Sequence, residues 1–178
     1  PQLWQVRLQV TLPRVQLLLL YLVRRNFLYK KNSIILNRIL EVNPMNYYVP
    51  VTSFINELHL DVIHNSSDID DRNILIPDVS RPGMMLLGFR QHFDPRRIQI
   101  IGLMEYSYLE GLNSTERYYH LERFFCEHPV LVVLTRNLSV FDEMRDLAIK
   151  YDVPLLGSST STSEFMSAAI SYLNVELA

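Results

Sequence analysis

Two arginines and one glutamate stand where an open α/β sheet would offer them to a ligand. Thr135-Arg136-Asn137 directly follow the aliphatic run Val130–Leu134, and in such sheets ligands gather beyond the carboxyl ends of the strands. Arg136 is therefore the leading candidate for contact with an anion. Arg81 and Glu105 also follow strand-like segments and join it as ligand-binding candidates. The competing reading is that all three serve structural ion pairs. No residue is assigned a catalytic role.

Other chemistry is thinly represented. The cluster Ser158-Ser-Thr-Ser-Thr-Ser163 precedes a helix start, where hydroxyls and backbone N–H groups can meet an anion. The plainer reading is a loop with an N-cap. A phosphate-wrapping P-loop needs closely spaced glycines followed by Lys and Ser or Thr. The five glycines, at 83, 88, 102, 111 and 157, form no such pattern and no dinucleotide fingerprint. A hydrolase elbow of the G-x-S-x-G type is also absent. The histidines, at 59, 64, 92, 120 and 128, include no zinc-protease pair. His120 lies near Glu116 and Glu122, but it reads as a solvated helix residue. The single cysteine, Cys126, follows Phe124-Phe125 and reads as a buried small hydrophobe; it excludes both an intrachain disulfide and a cysteine metal cage. No metal site is expected.

These residues depend on an alternation of strands and helices. Thr52 is expected to cap a short helix through Phe54, Ile55 and Leu58. Strands are expected at Leu60–Ile63 and Asn73–Ile76, with Pro77 arguing against a central position for the second. Asp78 to Ser80 reads as a strand end, Arg81-Pro-Gly83 as a turn, and Met84 to Leu87 as a brief helix ended near Gly88. A strand at Arg97–Gly102 leads into a helix from Glu105 that Gly111 closes. Asn113-Ser-Thr-Glu116 has the pattern of a reciprocal cap; its helix is expected to bury Tyr118, Leu121, Phe124 and Phe125. The aliphatic run to Leu134 suits a strand buried on both faces. Ser139 is expected to cap a helix with Met144, Leu147, Ala148 and Tyr151 on its apolar side. Val153–Leu156 is a further strand, and Ser161-x-x-Glu164 is a capping box before a helix carrying Phe165, Ala169, Tyr172 and Leu173. The pattern predicts a single α/β domain over 49–178, with a mixed or mostly parallel central sheet flanked by helices.

Composition agrees with a folded domain. Of the 178 residues, 48 % are hydrophobic and 20 % charged, a globular balance. The net charge of −2 offers no overall steering toward nucleic acid or membrane, and neither is expected as a partner. The charge is uneven, however. Residues 1–44 carry seven basic groups against Glu41 alone, a net of +6, and the remainder has a net of −8. Residues 1–48 are thus a basic extension distinct from the domain. The apolar run Leu17–Val23 is too short to span a membrane and has no small-residue cleavage site after it. Met45 reads as a natural start, which makes the leader an unnatural extension; a targeting peptide or membrane-surface helix is the other reading.

From Val49 onward the chain resembles the amino-terminal domain of HPr kinase/phosphorylase. The resemblance rests on Val51-Thr-Ser-Phe-Ile-Asn-Glu-Leu58, Asp71-Arg72, Asp78-x-Ser80-Arg81-Pro82-Gly83, Gly88-Phe89, Arg97-Ile-Gln99 and Gly102. It continues through Glu105, Pro129 to Arg136, Val153-Pro-Leu155 and Thr162-x-Glu164. Family members often carry a basic residue after the 153–156 strand, where this chain has Gly157-Ser158. The resemblance implies a fold similar to the substrate domains of Mur ligases. It implies a regulatory or assembly role in a cytoplasmic, homohexameric bacterial enzyme. That enzyme phosphorylates a seryl residue of HPr, the carrier of the sugar phosphotransferase system, and removes the phosphate by phosphorolysis, which sets carbon catabolite repression. It further implies that ATP and Mg²⁺ belong to a following P-loop domain, so these residues are expected to hold no cofactor and whether this chain is itself an enzyme stays open. HPr and other copies of the chain are the implied partners. The alternative is a freestanding α/β module that binds a phosphorylated small molecule or a nucleotide through Arg136 and Arg81.

Overall fold

The computed structural model describes residues 48–178. The expected starts at Met45 and the 1–44 leader lie outside them. Among these residues a five-stranded sheet runs in the order β2 (Asp61–His64), β7 (Leu155–Gly157), β6 (Val132–Leu134), β5 (Ile98–Ile101), β4 (Val79–Ser80). The last four are mutually parallel, and β2 lies antiparallel along the β7 edge. The sheet is mixed but mostly parallel, and helices cover both of its faces. A separate two-stranded ribbon pairs β1 (Val49–Pro50) with β3 (Asn73–Ile74).

Alternation along each strand builds the two cores. Val132 and Leu134 face one way with Ile101 and Leu155; Leu131 and Val133 face the other with Ile98, Ile100 and Leu156. Successive strand side chains point to opposite faces, so a short aliphatic run serves both layers. The first layer is closed by α2 (Gly83–Leu86), α3 (Leu103–Glu110), α4 (Ser114–Phe125) and α5 (Asp142–Lys150). Sequential strands β4 to β7 step in one direction across the sheet, and these helices between them all pack on that one face. The second layer is closed by α1 (Val51–Glu57), α6 (Thr162–Glu176) and the ribbon, with Phe54 edge-on to Phe165. Arg72 fastens the ribbon to the sheet, donating to Asp68, to the carbonyl of Val130 and to that of Asp152.

Several local expectations need correction. Thr52 is inside α1, whose N-cap is Pro50. No side chain caps this helix; the N–H of Val51 donates instead to the carbonyl of Arg72 in the ribbon. Ser139 does not cap α5 either. The cap is Phe141, and the Ser139 hydroxyl bonds the Tyr106 hydroxyl at 2.9 Å. Tyr118 lies on the exposed side of α4, under Lys150. The Asn73–Ile76 strand is only two residues long and stays outside the main sheet. The pair Val79–Ser80, read as a strand end, is the fifth strand of that sheet. The reciprocal caps at Asn113–Glu116 and Ser161–Glu164 form as expected.

Candidate functional site

Register decides what the carboxyl ends of the strands present. Ser80 pairs with Gln99, Ile101 with Leu134, and Leu134 with Gly157. The next residue along each chain segment is therefore Arg81, Gly102, Thr135 or Ser158. Four separate segments of sequence meet along one edge of the sheet, and the three candidate residues lie among them.

Glu105 is the most constrained of the three. It sits in the first turn of α3, and its carboxylate reaches back to accept the N–H of Gly102 at 3.1 Å. The same oxygen accepts from Arg81 at 2.7 Å. Glu105 is 6 % exposed, whereas the Arg81 side chain is 35 % exposed. The glutamate is thus buried with its charge matched, as burial of a carboxylate requires. It also anchors Arg81 from below, and the guanidinium has further donors to offer.

Arg136 is held differently. Arg136 and Asn137 both adopt left-handed backbone conformations, at φ 63° and 52°, which turn the chain sharply after β6. Their N–H groups donate to the carbonyls of Thr160 and Ser158, so the turn is bound to the loop after β7. The Arg136 side chain is exposed and makes no ion pair or hydrogen bond among the described residues. Its charge helps hold the Glu164 carboxyl below the ordinary range, behind the larger effects of the Ser161 hydroxyl and backbone N–H.

Arg81 and Arg136 line one depression of about 300 Å³, together with Leu103, Met104, Thr162, Ser163 and Met166. Glu105 stands beside it, behind Arg81. The geometry therefore gathers all three candidates at one edge, and it realises the ion-pair reading for Arg81 and Glu105 only. The apolar walls were not legible in the sequence. Leu103, Met104 and Met166 look like ordinary helix positions in sequence; only the fold shows that Leu103 and Met104 are exposed while Met166 packs partly against the core.

The serine-rich stretch is internally satisfied in large part. Ser158 bonds Thr160, Ser161 accepts the N–H of Glu164, and Thr162 bonds the buried Thr135 at 2.8 Å. His120 is not turned toward Glu116 or Glu122. Its Nδ1 lies 2.7 Å from the carbonyl of Leu86, between the rings of Tyr108 and Tyr119. Cys126 is half-buried at the end of α4, with Sγ 3.3 Å from the carbonyl of Arg123. Among the described residues, no group of three or more His, Cys, Asp or Glu gathers at metal-binding distance. No helix among them is long and apolar enough to cross a membrane.

Fold and loops together define an α/β domain of the open-sheet class, with a crevice at the carboxyl ends of its parallel strands. The sequence model of the family described as HPr Serine kinase N terminus matches residues 49–173. The chain belongs to that family. The HPr kinase/phosphorylase of Caldicellulosiruptor bescii is 36 % identical over 132 residues, covering 74 % of this chain and 42 % of that protein. That of Streptococcus gordonii is 35 % identical over 130 residues, 73 % of this chain and 42 % of the relative. A Streptococcus pneumoniae relative of the same name is 33 % identical over 130 residues, with the same coverage. The chain thus spans well under half the length of the relatives it matches.

Proposed function

We propose that residues 49–178 form the amino-terminal regulatory and assembly domain of a bifunctional HPr serine kinase/phosphorylase. In this reading the domain acts in the cytoplasm, on control of the sugar phosphotransferase system and carbon catabolite repression. Its partners are HPr and further copies of the same chain. The observation that carries the proposal is the match of 49–173 to the amino-terminal family, joined to relatives named for the whole enzyme.

In this reading ATP and Mg²⁺ are held by groups outside residues 49–178. The carboxyl-end loops contain no lysine, and Lys150, the one lysine among the described residues, is paired with Glu122. No glycine-rich phosphate loop occurs in the 178 residues. Phosphoryl transfer is accordingly assigned to groups outside 49–178, and no step of it is derived from this domain.

The test has two arms. The purified chain, mixed with HPr, ATP and Mg²⁺, should leave HPr unphosphorylated; phosphoserine on HPr would overturn the assignment. Removing the matching domain from the Caldicellulosiruptor bescii enzyme and fusing residues 49–178 in its place should restore the parent's oligomeric state and control. A fusion indistinguishable from the deletion would count against a regulatory or assembly role. The meeting of Arg81 and Arg136 at one depression favours a second reading, a binding module for a phosphorylated small molecule.

A further inference from the structure

The depression beside Arg136 continues into a second one. Arg81 and Met104 line both the roughly 300 Å³ space and an adjoining space of about 410 Å³, whose other walls are Gly83, Met84, Leu87, Tyr108 and Glu105, the last paired with Arg81. The two form one groove with a charged end and an apolar end. Met84, Leu87, Leu103 and Met104 are each more than half exposed, and Met104 is 75 % exposed. Such a patch of large apolar side chains, bordered by charge, marks a surface meant to be covered.

The charged end is built for an acceptor with several oxygens. The Arg136 side chain has no partner among the described residues, and that of Arg81 has one, Glu105. The two arginines come from loops after different strands, β4 and β6, and line the same depression. A phosphate group, with three terminal oxygens, can accept from both at once. A planar carboxylate offers two oxygens in one plane and suits a single arginine fork better.

We propose that this groove binds a small phosphate monoester with an apolar body. The phosphate meets Arg136 and Arg81, and the body lies over Met104 toward Met84 and Leu87. Glu105 is a positioning residue, because it holds Arg81 at the junction of the two spaces. The proposal rests on the binding-module reading above and is independent of the assembly reading.

The test is an NMR titration of the complete ¹⁵N-labelled chain with phenyl phosphate. Inorganic phosphate, phenol and benzoate at equal ionic strength are the comparison probes. Phenyl phosphate should give saturable shifts confined to residues near 81–87, 103–108, 135–137 and 162–166. It should bind about tenfold more tightly than phenol, which lacks the charged head. Arg136→Ala should weaken phenyl phosphate about tenfold. Met104→Gln should weaken it about threefold and leave inorganic phosphate unchanged. Both side chains are exposed, and the variants' own spectra report whether the fold is retained. Non-saturating shifts, shifts outside the groove, or an Arg136→Ala variant that binds like the parent would overturn the site. Benzoate binding as tightly as phenyl phosphate would overturn the phosphate assignment. A flat titration alongside a fusion that restores assembly would reject the phosphate site and leave the assembly reading standing.

Discussion

At the scale of single residues, Gly102 shows how the site edge depends on close approach. Its φ of −102° is open to any residue, so conformational freedom is not the reason for glycine here. A Cβ on Gly102 would lie 2.5 Å from the Thr162 hydroxyl, which bonds Thr135. Gly102→Ala must therefore push the start of α6 away from the end of β5. We expect a loss of about 1–3 kcal/mol, the usual cost of overpacking, measured by urea unfolding. An unchanged midpoint would show that α6 yields freely. The glycine was visible in the sequence as punctuation after a strand. Its reason lies sixty residues further on, where no local reading reaches.

At the scale of elements, the caps divide into two kinds. Asn113 accepts the N–H of Glu116, and the Glu116 carboxylate accepts the N–H of Asn113. We expect Asn113→Ala to cost about 1 kcal/mol, read from thermal or urea unfolding, whereas Thr52→Ala should remove no cap and change stability much less. An Asn113→Ala variant as stable as the parent would show that tertiary packing alone holds the start of α4. The Asn113 and Ser161 caps were legible because donor and acceptor lie three residues apart in sequence. The starts of α1 and α5 were misread for the opposite reason. The Val51 N–H finds its acceptor on Arg72, across the fold, and the Ser139 hydroxyl is taken by Tyr106. A hydroxyl near a helix start is a cap only if nothing distant claims it.

At the scale of the whole molecule, stability should depend on acid. Hydrogen bonding and charge from Arg96 hold the Asp94 carboxyl at about 2. Asp152 is held down by the hydroxyl and N–H of Ser67, and Glu122 by Lys150. A carboxylate with a lowered folded-state pKa takes up a proton more readily when unfolded. Its contribution is complete above the ordinary values of 3.8 to 4.5 and is lost as the pH falls through the folded-state value, about 2 for Asp94. The urea midpoint should therefore fall steadily as the pH drops below about 4.5. These pairs are largely at the surface, so each contributes modestly and salt should blunt the fall. A midpoint that holds steady down to about pH 2 would contradict this account.

The alternation of aliphatic runs with amphipathic helices was readable because burial leaves a local period in the chain. Val130–Leu134 is buried on both faces and looks so; Leu121, Phe124 and Phe125 share a helix face and look so. Those patterns, with the ordered landmarks from Val51 to Glu164, determined the α/β class and the family from sequence alone. Tertiary structure decided the rest. Parallel pairing in register set Arg81, Glu105 and Arg136 on one edge, although they are far apart in sequence. It also left Met104 and Leu87 exposed beside them, where helical spacing alone would bury or expose them with equal ease. Strand order and register arise from packing between distant segments, and no local pattern records them.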